Sequence, residues 1–227
     1  MKHEIAQVRS PADAARVAAF FRTVWQDGEA VAPQDLILAA VHVGGYCAFI
    51  ESGDRVVAAS FGFLGSHKGL NTLHSHVTAA TVPGLGYELK LHQRQWALAN
   101  DLAAITWTFD PLIRRNCVFN FEKLGAKAVE YLPNFYGNMA DSINLGDDSD
   151  RLFVVWPLEA ETVIVTEEKM WVTIPEDIES LRQTDLEAAL VWRTNVRQIM
   201  APWFADGAVI RSINPERSAV LIERIAR

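Results

Sequence analysis

The amino-acid sequence predicts an α/β domain over residues 1–158, followed by a smaller α+β extension over residues 159–227. Three observations lead there. Short β-rich runs alternate with runs of helical periodicity from residue 4 to residue 158. A glycine pair, Gly84 and Gly86, sits where a β-rich run meets an amphipathic helix, and a second strand and helix follow at once. Beyond the charged stretch 159–168 the pattern changes to strand, two helices and two strands, with no linker-like composition between.

Residues 4–9 read as a short strand. Ser10-Pro11-Ala12-Asp13 then opens a helix, with a Ser cap, Pro at the first helical position and an acid in the first turn. Val17, Phe20, Phe21 and Val24 recur on one face of it, and it ends before Gly28. Pro33 starts a second helix with Leu36, Ile37 and Ala40 on one side. Strands follow at 46–51 and 55–64, joined by the turn Ser52-Gly53-Asp54, and a fourth at 72–81. Residues 86–100 form an amphipathic helix in which Leu89, Trp96 and Ala99 share a stripe that Leu91, Leu98 and Leu102 extend. A strand at 104–109 leads to a helix at 112–124 with Ile113, Cys117, Phe121 and Leu124 on one face. Strands at 127–132 and 152–157 flank a polar, glycine-containing loop.

The extension has a strand near 170–173, a helix entered through Pro175, and a second helix whose start, Thr184-Asp185-Leu186-Glu187, has capping-box spacing. Ala189, Trp192, Val196, Ile199 and Trp203 line up along that second helix as core packing. Arg193 and Arg197, one helical turn apart, repel unless acids answer them, which favours a structural pairing over a substrate site. Strands near Val209 and Val220 close the extension.

Composition narrows the function classes. The chain has 227 residues, 50% hydrophobic and 22% charged, enough for one core with an appendage. A net charge of −7 argues against a nucleic-acid partner, because counterion release needs a basic face. Cys47 and Cys117 lie in apolar surroundings and read as reduced core residues. No run of about 18 apolar residues occurs and the opening decapeptide has no apolar core, so the expectation is a cytoplasmic protein without a membrane partner.

The glycine turn is the first chemical feature. Free N–H groups and the positive end of the helix dipole make such a turn an anion site, although a lone Gly-x-Gly before a helix is also an ordinary tight turn. The stretch from His74 to Gly125 carries more. His74-Ser75-His76, Gly84-Leu85-Gly86, Ile105-Thr106-Trp107-Thr108-Phe109-Asp110-Pro111 and Asn120-Phe121-Glu122-Lys123-Leu124-Gly125-Ala126 together resemble the acyl-CoA-binding core of the GNAT superfamily of N-acyltransferases. With Leu132-Pro133-Asn134-Phe135-Tyr136-Gly137 they resemble a narrower group of uncharacterised predicted acetyltransferases, some associated with N-acylation of amino acids.

The resemblance implies a mixed central sheet flanked by helices. It implies acetyl-CoA or another acyl-CoA, such as succinyl-CoA, as donor, and a small-molecule amine as acceptor. It implies cofactor contacts from the fourth strand and the turn (Ala79, Ala80, Thr81, Val82, Gly84, Leu85, Gly86, Tyr87), from Asn116 on the pantetheine arm and from Phe121 at the sulfur end. Two positions depart from the family pattern. Thr81 stands where the signature Q/R-x-x-G-x-G/A has Gln or Arg, a lost charge-assisted contact worth on the order of 1.5–3 kcal/mol. Phe121 stands where relatives carry the tyrosine that protonates the departing thiolate, and Tyr87, Tyr131 and Tyr136 are the phenols nearest in kind.

An amine must lose a proton before it attacks a thioester, so a base titrating near neutrality is useful. His74 and His76, two apart on a strand, point to one face, and either is a candidate base; the alternative is that both pack or pair structurally. As metal ligands they lack a third partner. Asp110 either orients a histidine or the substrate amine, or caps the helix that follows it. Arg114 and Arg115 sit in a first helical turn against the dipole preference, which calls for an anion, either a ligand's or a nearby acid's. With Tyr136 they are the candidate substrate contacts. Two competing readings are a CoA-binding module without catalysis and a structural homodimer formed through the tryptophan-rich tail.

Overall fold

The computed structural model describes residues 3–25, 31–137, 146–159 and 166–225. The expected helix end near Gly28, part of the polar loop and part of the 159–168 boundary lie outside the described residues. The chain forms two compact units, Met1–Thr106 and Trp107–Arg227.

The first unit runs β1(Ala6–Gln7), α1(Pro11–Trp25), α2(Gln34–His42), β2(Tyr46–Ser52), β3(Arg55–His67), β4(Leu70–Ala80), α3(Leu85–Ala99) and the start of β5(Ala104–Phe109). Its strands lie in chain order, β1-β2-β3-β4-β5. The first four are antiparallel, and β5 returns parallel to β4 after the α3 crossover. The α1 start is a reciprocal cap, as its sequence predicts: the Asp13 N–H donates to Ser10 Oγ at 3.1 Å and the Ser10 N–H donates to Asp13 Oδ2 at 3.0 Å. Val17, Phe21 and Ile37 pack with Cys47, Phe49, Ala59, Phe61, Val77 and Ala79 into one apolar cluster. Alternate residues of the same strands face α3 instead, where Tyr46 Oη and His92 Nδ1 are 2.8 Å apart.

An irregularity in β4 breaks that alternation. Phe61 pairs with Val77 but Gly62 pairs with Ser75, so His76 is an extra residue, a β-bulge in β4. The bulge leaves His76 and Val77 on the same side as His74: Phe63 touches both histidine rings while Val77 joins the α1–α2 cluster. Gly62 makes the bulge sterically feasible. A Cβ there would stand 2.7 Å from the His74 carbonyl oxygen and 3.3 Å from Ser75 Cα. Gly62→Ala should therefore destabilise the fold by about 1–3 kcal/mol. Urea melts check this, and an unchanged midpoint would mean that the backbone gives way without cost.

The second unit takes the rest of β5, then α4(Arg114–Cys117), a π-helical stretch Val118–Lys123, β6(Lys127–Leu132), β7(Arg151–Pro157), β8(Thr166–Thr173), α5(Ile178–Thr184), α6(Leu186–Ala205), β9(Val209–Ile213) and β10(Ala219–Ile225). Strand order is β7-β6-β9-β10-β8, with β7–β6, β6–β9, β9–β10 and β10–β8 all antiparallel. The sequence suggests one regular helix over 112–124; instead the helix widens after its first turn, and the Leu124 N–H donates to the Phe119 carbonyl, five residues back, at 3.0 Å.

Two helix faces also differ from the apolar stripes that the sequence suggests. On α3 the buried face is Leu85, Leu89, Lys90, Gln93 and Ala97, while Leu91, Leu98 and Ala99 are exposed. On α6 it is Ala189, Arg193, Val196, Met200 and Phe204, while Ile199 is exposed. In both cases a long polar side chain inside the unit outranks an apolar one at the rim, because it meets a buried polar partner. For Arg193 the partners are carboxylates. Arg193 Nη2 lies 2.8 Å from Asp110 Oδ2 and 2.8 Å from Asp147 Oδ2, and Arg182 Nη2 lies 2.6 Å and 2.7 Å from the same two atoms. All four side chains are out of contact with water to within a few per cent. Arg197 continues the pattern outward, with Nε 2.8 Å from Asp150 Oδ2 and Nη2 2.7 Å from Asp148 Oδ2.

Candidate functional site

In the first unit the candidate site is built on β4 and the turn that follows it. The parallel ladder between β4 and β5 covers Thr72–His74 against Ala104–Thr106 and stops there. Among the described residues, β4 from Ser75 to Ala80 makes no ladder on that edge, so its backbone N–H and C=O groups are available to a ligand. The strand then runs into the exposed turn at residues 81–84 and the N-terminus of α3.

Gly84 occupies the N-cap of α3 with φ +90°, a left-handed backbone that favours glycine. No atom lies within 4 Å of the Cβ it lacks, and the Cβ that Gly86 lacks would meet only Ala80 Cβ, at 3.9 Å. Among the described residues the N–H groups of Gly84 and Gly86 have no protein acceptor. Leu85 is buried and anchors the helix start; Val82 and Tyr87 are exposed beside it. Two free donors at an unobstructed helix N-terminus suit a pyrophosphate. Thr81 contributes nothing to that donor set. Its N–H and its Oγ1 both donate to the Val57 carbonyl, at 2.9 and 3.1 Å, so the residue at the Gln/Arg position of the signature is turned back onto β3.

His74 and His76 lie on one face, their rings 5.2 and 5.7 Å from the Phe63 ring. They differ in what holds them. His74 Nδ1 is 3.1 Å from Thr106 Oγ1. Burial, with His76 and Lys90 adding to it, pulls His74 down to about 4, so it stays neutral across the physiological range and is a weak base. His76 Nε2 is 3.2 Å from the Val31 carbonyl. A carbonyl only accepts, so Nε2 carries the proton in the neutral ring and Nδ1 keeps its lone pair.

Sequence reasoning missed the polar residues beneath this strand. Lys90 is buried on α3, and its Nζ donates to Ser75 Oγ at 2.8 Å and to Gln93 Oε1 at 3.3 Å. Gln93 Nε2 donates to Ser60 Oγ at 3.2 Å, and Ser60 Oγ is 2.8 Å from Thr78 Oγ1. Burial pulls Lys90 down to about 7. The only sequence signal was Lys90 and Gln93 falling on the same side as Leu89 and Ala97.

The other candidates belong to the second unit. Asp110 gives both carboxylate oxygens to arginines and also accepts the Leu112 N–H at 2.9 Å, which closes an Asx turn two residues long. It does not cap the helix, whose N-cap is Ile113 with no side-chain bond, because the turn delays the helix to Arg114. Burial alone would push it up, but Arg193 and Arg182 hold it at about 2. Arg114 donates to the carbonyls of Pro175 and Ile174, at 3.0 and 3.1 Å, and Arg115 pairs with Glu179. The groups that answer these first-turn arginines are thus the protein's own: neutral carbonyls for Arg114 and a carboxylate for Arg115. Asn116 is half-buried on α4. Phe121 is buried with its ring 5.9 Å from that of Phe109. Tyr136 is exposed, its hydroxyl 2.9 Å from Thr108 Oγ1 and its ring under the Arg151 guanidinium. Both cysteines are buried free thiols, and burial pushes Cys47 up to about 12, away from nucleophilic use. Among the described residues no helix is long and apolar enough to cross a membrane.

No family model and no curated protein matches the sequence. Solved structures do match the fold. The aminoglycoside 6'-N-acetyltransferase from Enterococcus faecium aligns over 70% of this chain and 99% of its own, with TM-score 0.52 and 12% identity. Arabidopsis thaliana Naa50, in complex with a bisubstrate analogue of CoA, aligns over 68% and 98%, with TM-score 0.53 and 16% identity. The ribosomal-protein-S18-alanine N-acetyltransferase from Escherichia coli aligns over 71% and 97%, with TM-score 0.53 and 12% identity. At such identities the likeness is one of architecture: this chain has the fold of the GNAT acetyltransferases.

Proposed function

We propose that the chain is an acyl-CoA-dependent N-acyltransferase of the cytoplasm that acts on the amine of a small molecule, with an amino acid as the first acceptor to try and acetyl- or succinyl-CoA as donor. The observation that carries this reading is the pairing of an open β4 edge with an unobstructed Gly84–Gly86 turn at the start of α3. Acyl-CoA supplies the thioester. The chain's part is to bind its phosphates at the turn, align the pantetheine along β4, and accept the amine proton. His76 Nδ1 is the proposed acceptor, oriented by the bond from Nε2 to Val31. His76 takes the proton that the ammonium must lose first and passes it to solvent. An N–C bond then forms as the C–S bond breaks, the second amine proton follows by the same route, and the thiolate leaves toward solvent, where it takes up a proton. Proximity of the two reactants contributes several kcal/mol by itself.

The test begins with calorimetry of the full chain against acetyl- and succinyl-CoA. Gly86→Val should weaken binding tenfold or more, about 1.4 kcal/mol. Because the missing Cβ meets only Ala80, the melting temperature should hardly move, which separates a lost ligand contact from a lost fold. No binding to either thioester at millimolar concentration would sink the reading. A CoA-binding module without catalysis is the second reading. Its support is Thr81, spent on Val57, and Phe121, which brings no phenol to position 121. Free-thiol release on adding candidate amines distinguishes the two.

A further inference from the structure

We infer that Lys90 is a positioning residue: from the buried face of α3 it grips Ser75 and so fixes the β4 bulge that carries His76. The inference rests on where the contact falls. Ser75 immediately precedes the bulged residue, and it is the first residue of β4 beyond the β5 ladder. Beyond the β5 ladder the strand has one neighbour in place of two, and the extra residue locally disrupts the ladder that remains. At that point a buried side chain from α3 reaches across to bond it, at 2.8 Å.

The same helix starts at the Gly84–Gly86 turn. Lys90 therefore ties the proposed phosphate end of the site to the proposed proton-accepting end through one helix and one hydroxyl. Gln93, Ser60 and Thr78 extend the tie along β3 and β4, so the link is a chain of hydrogen bonds, with Lys90 at the end nearest the bulge. An ammonium is an expensive way to fill this space. A methionine would pack there without the desolvation cost, and the lowered basicity of Lys90 is a measure of that cost. His74, on the neighbouring stretch of β4, feels the Lys90 charge as well.

The kinetic half of this inference rests on the acyltransferase reading; the structural half does not. Amide spectra of the full 15N-labelled chain are compared for wild type, Lys90→Met and Ser75→Ala, with melts to confirm that each is folded. Ser75→Ala is the smaller change and carries the test if Lys90→Met does not fold. Both variants should move the amides of Ser75, His76 and Val77 in the same direction, and more than the rest of β4. In turnover assays kcat should fall about 10- to 100-fold while KM for acyl-CoA stays within about twofold, and the double variant should be no worse than the singles. Shifts confined to α3 would overturn the inference, as would losses that multiply in the double variant. If the amides respond but no amine is ever acylated, the acyltransferase reading falls and the Lys90–Ser75–His76 link stands.

Discussion

Arg193→Met is expected to destabilise the second unit by about 3–5 kcal/mol, the range seen when one partner of a buried ion pair is removed. Arg193 is 2% exposed and donates to both Asp110 and Asp147. Without it, two buried carboxylates lose a guanidinium that bonds both; Arg182 still pairs with the two and Arg151 still acts on Asp110 through space, but more negative charge is left with no water to face. Urea unfolding followed by tryptophan fluorescence measures the effect. Arg217→Ala, which breaks an exposed pair with Glu122, is the control and should leave the midpoint nearly unchanged. A loss at Arg193 as small as the control's would mean that water reaches the cluster. Acid probes the same contacts. Asp110 is held below its unfolded value, so its contribution is complete above the ordinary carboxylate range and is lost as pH falls toward about 2.

His76→Ala should lower kcat by about 10²-fold or more while acyl-CoA affinity, measured directly, stays close to wild type. The acidic limb of kcat/KM should flatten in the same variant. His74→Ala should have the smaller effect on kcat, because a ring held near 4 is a poor proton acceptor at neutral pH. His74 should instead show itself in stability. Its folded value, about 4, lies below the unfolded 6.5, so between those values the unfolded chain binds a proton that the folded chain does not. Stability should therefore drop as pH falls from 6.5 to 4, and His74→Gln should reduce the slope. If both alanine variants kept full kcat with unchanged pH profiles, neither histidine would be the base.

Most of the element order was legible because it rests on local signals. The Ser10–Asp13 cap, the Gly84 turn and the Ser52-Gly53-Asp54 turn between β2 and β3 are written within a few residues of where they act. The helix faces were read less well. Periodicity counts apolar residues, and on α3 and α6 the residues that settle the orientation are Lys90, Gln93 and Arg193, whose partners are far away in sequence. The bulge at His76 was hidden for a related reason: an extra residue becomes visible only when the partner strand is known. The two-apart spacing of the histidines suggested a shared face, and Phe63 touches both rings, but Val77 breaks the alternation right after them. The first-turn arginines called for an anion, and only Arg115 meets one, the Glu179 carboxylate; Arg114 is answered by neutral carbonyls. Whether the answer came from a ligand or from the chain itself depended on Ile174, Pro175 and Glu179, some sixty positions downstream.

The Asp110–Asp147–Arg182–Arg193 cluster also bears on the order of events as the chain is made. Asp110 and Arg193 are 83 positions apart, and Asp147 and Arg182 are 35 apart. A chain leaving the ribosome presents both carboxylates well before either guanidinium. Until α5 and α6 have emerged, those carboxylates keep their hydration, and closing the second unit's interior over them carries an uncompensated charge. The unit is thus biased to wait for its own C-terminal helices, which bring the two guanidiniums that bond both carboxylates.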